Sequence, residues 1–407
     1  VAVPGSKSIA NRALVCAALA EGRTTVTNLP DGDDTMAMVT ALGTLGLRVV
    51  HDVLGATVVV DGGVAAMAAD DVHLDARLAG TTSRFLTALA AVSPATVVVD
   101  GGEPLRRRPM GPLHDALTAL GAIVEPLGAP GHLPVRVRRA TGLRSADVAM
   151  PGDVSSQFLT ALMLIGPLLP GGLVVRLTTP LVSRPYVAIT AAVMAAFGVE
   201  GVEVDERHVR VPPGRYTARR YDIEPDASSA SYPLAAAAMV GGRVTVPGLG
   251  SESLQGDARF AELLAEMGCS LDRDRSSTTI VGRPALRGLD VHMADLSDLV
   301  PTLAVVATAA TSPTRVRDVG FIRHKESDRI GDLAGGLRAA GIEAIEHDDG
   351  LEVHPGVPRA ARLATHHDHR LAMSFALLGL RSAGIEISDP DVVTKSWPGF
   401  WQSLESW

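Results

Sequence analysis

The sequence predicts an α/β protein of two similar domains, each assembled from three copies of one unit about 70 residues long. Three observations lead there. Polar, cap-rich loops open Ala/Leu-rich helical runs six times, and their markers Ser8, Thr82, Ser156, Ser229, Asp298 and Asp368 are 74, 74, 73, 69 and 70 residues apart. A small-residue turn follows a second helix at Gly46, Gly121, Gly198, Gly268 and Gly341, with spacings of 75, 77, 70 and 73. Finally, 407 residues suit two domains of ordinary size, and so large a repeat is too long for a solenoid.

Within a unit the order reads as capped helix, strand, loop, second helix, strand. The opening loops are Gly5-Ser6-Lys7-Ser8, Gly80-Thr81-Thr82-Ser83, Asp153-Val154-Ser155-Ser156, Asp226-Ala227-Ser228-Ser229, Asp295-Leu296-Ser297-Asp298 and His366-His367-Asp368. The first helices, such as 159–169 and 234–240, are apolar nearly all round, which predicts helices buried inside each domain. The second helices are more amphipathic, and glycine just past each is the residue that best ends a helix. Pro233 fits the fourth buried helix badly, because beyond the first turn it removes a backbone donor. The seam between domains falls near Tyr221 to Pro225.

Helix N-termini expose unsatisfied N–H groups and the positive end of the dipole, so six of them form ready anion sites if they converge. Each Ser, Thr or Asp could equally be only a cap. The cations favour ligands: in a chain of net charge −8, basic residues recur in these loops at Lys7, Arg12, Arg84, Arg106 to Arg108, Arg184, Arg323, Lys325, Arg329, Arg370 and Lys395. Arginine offers a bidentate fork and lysine a point charge, a set suited to a substrate with several negative charges. For Arg106, Arg107, Arg184 and Arg323 solvated surface charge competes with that reading. Asp298 and Glu326 stand among these cations and could shuttle protons, or could merely cap and pair; Asp328 reads as structural.

The acidic balance argues against nucleic-acid and membrane-surface partners. Cys16 and Cys269 lack CxxC spacing and read as free, buried thiols of a reducing, cytoplasmic compartment. There is no apolar run long enough to span a bilayer, and the sequence begins at Val1, which leaves room for a preceding segment. His366-His367-Asp368-His369 is a local cluster, but no His-x-x-x-His pair or Cys partner accompanies it, so no metal is expected. Neither G-x-G-x-x-G nor a Walker loop occurs, so no nucleotide cofactor is expected.

Together, Pro4-Gly5-Ser6-Lys7-Ser8 with Asn11-Arg12, Ala79-Gly80-Thr81, Arg108-Pro109, Ser155 to Thr160, Ser183-Arg184-Pro185-Tyr186, Asp226 to Tyr232, Lys325 to Arg329, Asp368-His369-Arg370 and Lys395 resemble the motifs of the EPSP synthase family (3-phosphoshikimate 1-carboxyvinyltransferases) along the whole chain. The resemblance implies two domains, each of three βαβαββ repeats with buried helices in an inside-out, barrel-like arrangement: residues 6–223, and residues 1–5 with 224–407. It implies the substrates phosphoenolpyruvate and shikimate 3-phosphate, no cofactor, and a monomer. Residue by residue, Lys7, Ser8, Arg12, Ser155, Ser156, Gln157, Ser183, Tyr186, Asp298 and Lys325 match the shikimate 3-phosphate side. Lys7, Gly80, Arg108, Gln157, Arg329, Arg370 and Lys395 match the phosphoenolpyruvate side. Lys7, Asp298, Lys325 and Glu326 match catalytic positions.

Departures from the family pattern are Phe321 in place of a common Asn, His367 before Asp368-His369-Arg370, and Thr82-Ser83-Arg84-Phe85 after Gly80. Two rival readings fit the sequence less well. A UDP-N-acetylglucosamine enolpyruvyl transferase typically has Asn after the first-loop lysine and a Cys before the Arg-Pro position, whereas here Ser8 follows Lys7 and residues 103–108 contain no Cys. A non-catalytic descendant of the fold should have lost a carboxylate or lysine, but Lys7, Asp298, Glu326 and Lys395 are all present.

Overall fold

A computed structural model describes residues 1–139, 143–144 and 147–407. Its contacts divide the chain into two compact units, Gly5–Ile223 and Val1–Pro4 with Glu224–Trp407. Each encloses its own apolar core.

In the unit Gly5–Ile223 the buried helices are Lys7–Leu19, Gly80–Val92 and Ser156–Ile165. Their polar loops work as caps where a side chain reaches back: Ser6 Oγ accepts from Ile9 N and Ser155 Oγ from Gln157 N. The sheets repeat one topology, in which a parallel pair bridged by the buried helix is extended by two antiparallel strands. Their orders are Val72–Asp75, Val97–Asp100, Val135–Arg138, Ile123–Pro126, and Asp147–Met150, Leu173–Leu177, His208–Val211, Glu203–Val204. The first unit borrows its parallel strand from the far end of the unit, where Arg220–Asp222 lies beside Gly22–Thr27. That pairing closes the set of three.

In the other unit the buried helices are Ala227–Val240, Val300–Ala307 and His369–Ala376. Only the middle repeat keeps all four strands, ordered Asp290–His292, Thr314–Arg317, Gly350–Val353, Ala344–His347. The others have three strands and two. Equivalent positions on the three helices meet: Thr302 Oγ1 lies 3.3 Å from Ser231 Oγ and 3.4 Å from Ser374 Oγ. A small hydroxyl one repeat apart lets helices pack closely while satisfying each other inside the core.

The glycines at 46, 121, 198, 268 and 341 all have positive φ, between 78° and 119°. They are the left-handed stops that their spacing suggests, where a Cβ would be strained. Pro233 stays inside a continuous helix. Residues 227–239 of that helix are all buried, and Tyr232 packs edge-on against Phe400, so packing offsets the missing backbone bond. Cys16 and Cys269 are free and buried. No described helix is long and apolar enough to cross a membrane.

Candidate functional site

In the unit Val1–Pro4 with Glu224–Trp407, the first turns of the buried helices and the 325–329 loop gather one charged network. Asp298 is not a cap; it sits in the 3-10 turn Ala294–Leu299, with a kink at Leu296, and the next helix starts without side-chain capping. Its carboxylate is thereby left for Lys325 Nζ at 2.5 Å, Arg329 Nη1 at 3.0 Å and Arg370 Nη2 at 2.8 Å. Lys325 Nζ also donates to Ser297 Oγ at 2.9 Å and lies 5.7 Å from the centre of the Phe321 ring. An aromatic at 321 therefore faces the ammonium with its π-cloud.

Glu326 meets Lys395 Nζ at 2.9 Å, His369 Nδ1 at 2.9 Å and Arg329 Nη2 at 3.5 Å. Asp368 caps its helix by accepting from Arg370 N at 2.9 Å and takes Arg329 Nε at 2.6 Å. Arg329, 2 % exposed, thus ties three carboxylates together. Asp328 is structural: its Oδ1 receives Ile330 N and Gly331 N at the start of the next helix, and its carboxylate pairs with Arg323.

Burial alone would raise the Asp298 carboxyl, but Arg370, Lys325 and Arg329 overcome it and hold the group well below the usual carboxylate range. Burial likewise opposes ionisation of Glu326, and Lys395, His369 and Arg329 more than offset it. Lys325 is pulled down by burial, against the attraction of Asp298. Asp257 goes the other way: burial first, then the like charge of Asp298, push it up to about 6 despite a hydrogen bond from Ser228 Oγ. An acid raised in the fold gives stability that is complete below its unfolded value near 4 and lost as pH rises through about 6. Asp257→Asn is therefore expected to be more stable than the parent at pH 7.5, by on the order of 1–3 kcal/mol in unfolding free energy, and to match it at pH 3.5. An identical pH profile for the two would show that Asp257 is not strained.

Glu326, Asp368 and His369 bring three potential metal-ligand atoms within 4.8 Å of one another. Lys395 and Arg329 already lie against those carboxylates, so cationic side chains stand where a metal would have to compete.

The unit Gly5–Ile223 carries the other sequence-derived residues. Lys7 Nζ pairs with the buried Asp34 at 3.0 Å. Arg12, 2 % exposed, donates to Ser8 O at 2.6 Å, Thr190 Oγ1 at 2.8 Å and Tyr186 O at 3.1 Å, which draws Ser8, Arg12 and Tyr186 together. Its guanidinium is pushed down to about 10 by burial. At Gly80, a Cβ would stand 2.4 Å from Arg108 Nη1 and 2.8 Å from Arg84 Nη1. Burial and then Arg108 press Arg84 well below its usual value, an environment that favours an anion between the two. Gly80→Ala is expected to raise KM for the anion bound there about tenfold, with kcat changed less, because the methyl displaces the guanidiniums; an unaltered KM would place the anion elsewhere.

Ser155 caps the third buried helix, Ser156 opens it, and Gln157 Oε1 is buried with no hydrogen-bond partner among the described residues, an acceptor open to a ligand. Ser183 adopts a left-handed conformation (φ 55°) at the start of helix Arg184–Ala196, strain of about 1 kcal/mol that a non-glycine residue keeps at a cost. By contrast Arg106 and Arg107 are exposed and pair with Asp100 and Glu103, and Arg323 pairs with Asp328, so these three follow the surface-charge reading.

Sequence reasoning singled out neither Asp34, nor Asp257, nor the bridging roles of Asp368 and His369. The last two stand inside the Asp-His-Arg motif and carried a signal; Asp34 and Asp257 reach their partners only through tertiary contact.

The two α/β units, each built on three buried helices, thus present lysines and arginines at helix starts beside carboxylates. The family model of EPSP synthase (3-phosphoshikimate 1-carboxyvinyltransferase) matches residues 1–404. The 3-phosphoshikimate 1-carboxyvinyltransferase of Nostoc punctiforme is 38% identical over 410 residues, covering 100% of this chain and 96% of that protein. That of Methanosphaerula palustris is 40% identical over 403 residues, covering 98% and 95%. The solved EPSP synthase of Acinetobacter baumannii superposes with a TM-score of 0.85 at 26% identity, covering 100% of this chain and 94% of that one. The chain belongs to the EPSP synthase family.

Proposed function

We propose that this protein transfers the enolpyruvyl group of phosphoenolpyruvate to the 5-hydroxyl of shikimate 3-phosphate and releases inorganic phosphate. The observation that carries this reading is the charged network itself, in which Asp298 and Glu326 are each held ionised by cations that a polyanionic substrate can engage. The hydroxyl oxygen attacks C2 of phosphoenolpyruvate while C3 takes a proton, giving a tetrahedral intermediate; loss of the C3 proton and of phosphate then restores the double bond. Asp298 accepts the hydroxyl proton, and Glu326 with Lys325 handles the proton at C3.

A carboxylate held far below its usual range is a weak base, and this sets a requirement. Arg370 and Lys395, which depress Asp298 and Glu326, are the groups assigned to phosphoenolpyruvate together with Lys7, Gly80, Gln157, Arg108 and Arg329. When they turn to the substrate's carboxylate and phosphate, the two protein carboxyls lose part of their compensation and become stronger bases. Binding the donor thus prepares the proton acceptors. Lys7, Ser8, Arg12, Ser155, Ser156, Gln157, Ser183, Tyr186, Asp298 and Lys325 hold shikimate 3-phosphate. The unpartnered Gln157 Oε1 suits a sugar-like hydroxyl.

The test is phosphate release from phosphoenolpyruvate with shikimate 3-phosphate or UDP-N-acetylglucosamine as acceptor, beside a Glu326→Gln control. Release is expected only with shikimate 3-phosphate and is expected to fall ~100-fold or more in the control. Release with the nucleotide sugar alone, or with neither acceptor, would overturn the reading.

A further inference from the structure

A cavity of about 800 Å³ opens on the third repeat of the unit Gly5–Ile223, lined by Arg176, Thr178, Thr179, Arg184, Arg207 and His208 among others. Its volume lies within the roughly 300–1,000 Å³ usual for small-molecule sites. None of the six is a residue assigned above to either substrate.

The charge around it is lopsided. Three arginines and a histidine line the cavity together with one carboxylate, Glu206, in a protein whose net charge is −8, and His208 Nδ1 also lies 3.6 Å from the Asp205 carboxylate. Several surface arginines elsewhere in this unit sit on carboxylates, among them Arg23 on Asp61, Arg106 on Asp100, Arg136 on Glu125 and Arg210 on Glu203. Among the described residues, no carboxylate lies within ion-pair distance of Arg176 or Arg207, both of which are exposed lining residues of the cavity. Strand pairing holds the set in place, since His208 is the register partner of Arg176 and Leu177 N donates to Arg207 O at 2.7 Å. Thr179 Oγ1 accepts from Gly152 N and Asp153 N, which leaves its own proton free to donate.

The geometry points to an accessory anion site in this cavity for a small phosphate-bearing polyanion, with Arg176 and Arg207 as its principal ligands and Arg184, His208 and the threonine hydroxyls as supporting donors. Guanidinium forks and hydroxyl donors around an open cavity match the three-oxygen face of a phosphate better than a single planar carboxylate. The inference does not depend on the reaction proposed above.

Amide hydrogen exchange of the intact protein, read at segments 174–180 and 206–210 at fixed ionic strength, tests it with inorganic pyrophosphate as the probe and citrate as the comparison. Pyrophosphate is expected to slow exchange in both segments. The concentration needed should rise about tenfold or more in Arg176→Ser/Arg207→Ser, as loss of two charge-assisted contacts implies. If the double variant is poorly folded by circular dichroism, Arg207→Gln alone gives the same reading. No local slowing, slowing that survives the substitutions, or equal slowing by citrate would overturn the assignment.

Discussion

Asp298→Ala is expected to lower turnover about 1,000-fold in the phosphate-release assay while shikimate 3-phosphate binding, measured at equilibrium, changes far less. The carboxylate accepts Lys325, Arg329 and Arg370 at 2.5 to 3.0 Å, so its removal deletes a proposed proton acceptor without touching the Gly5–Ile223 unit, which carries most of the residues proposed to hold shikimate 3-phosphate. It also leaves those three cations facing one another. Two effects, lost proton transfer and electrostatic disorder, are therefore mixed in the alanine variant. Asp298→Asn separates them, because it keeps the volume and some hydrogen bonds but removes the base. A loss in Asn equal to that in Ala points to the proton. Near-normal turnover in either variant would remove Asp298 from the mechanism.

The second large effect is on stability. Arg329 is buried and holds Asp298, Glu326 and Asp368 at once, and breaking a buried ionic cluster from one side costs about 3–5 kcal/mol because the partners stay behind as uncompensated charges. Arg329→Met should therefore melt on the order of 10 °C lower at pH 7. The sign of its pH dependence follows from the depressed carboxyls. Their contribution is present above the unfolded value near 4 and disappears as pH falls through their lower folded values. The deficit of Arg329→Met should accordingly shrink below pH 4. A constant deficit, or none at pH 7, would mean that the cluster is solvated and its ion pairs weak.

Legibility differed between the repeats and the site for physical reasons. Caps at Ser6, Ser155, Asp226 and Asp368 act over three residues or fewer, so the chain itself announces them. Asp298, written in the same rhythm, was legible as a proton carrier or a cap, and the structure shows it capping nothing and paired with distant cations instead. Only the kink at Leu296 turns it from its own helix toward Lys325 and Arg370, 27 and 72 positions away. Gly80 was readable through the family resemblance as part of the phosphoenolpyruvate side, but not that two guanidiniums, Arg84 and Arg108, crowd it.

The sequence by itself determined the six repeats, the buried apolar helices, the left-handed glycine stops and the residue types gathered for polyanion chemistry, because each depends on local propensity and period. Only the tertiary structure decided which charges meet. It set Arg329 among three carboxylates, paired Lys7 with Asp34, buried Asp257 beside Ser228, and left Arg176 and Arg207 without carboxylate partners among the described residues. Charge pairing, and the burial that sets its strength, depends on distances across turns and helices far apart in the chain, and no local rule encodes those.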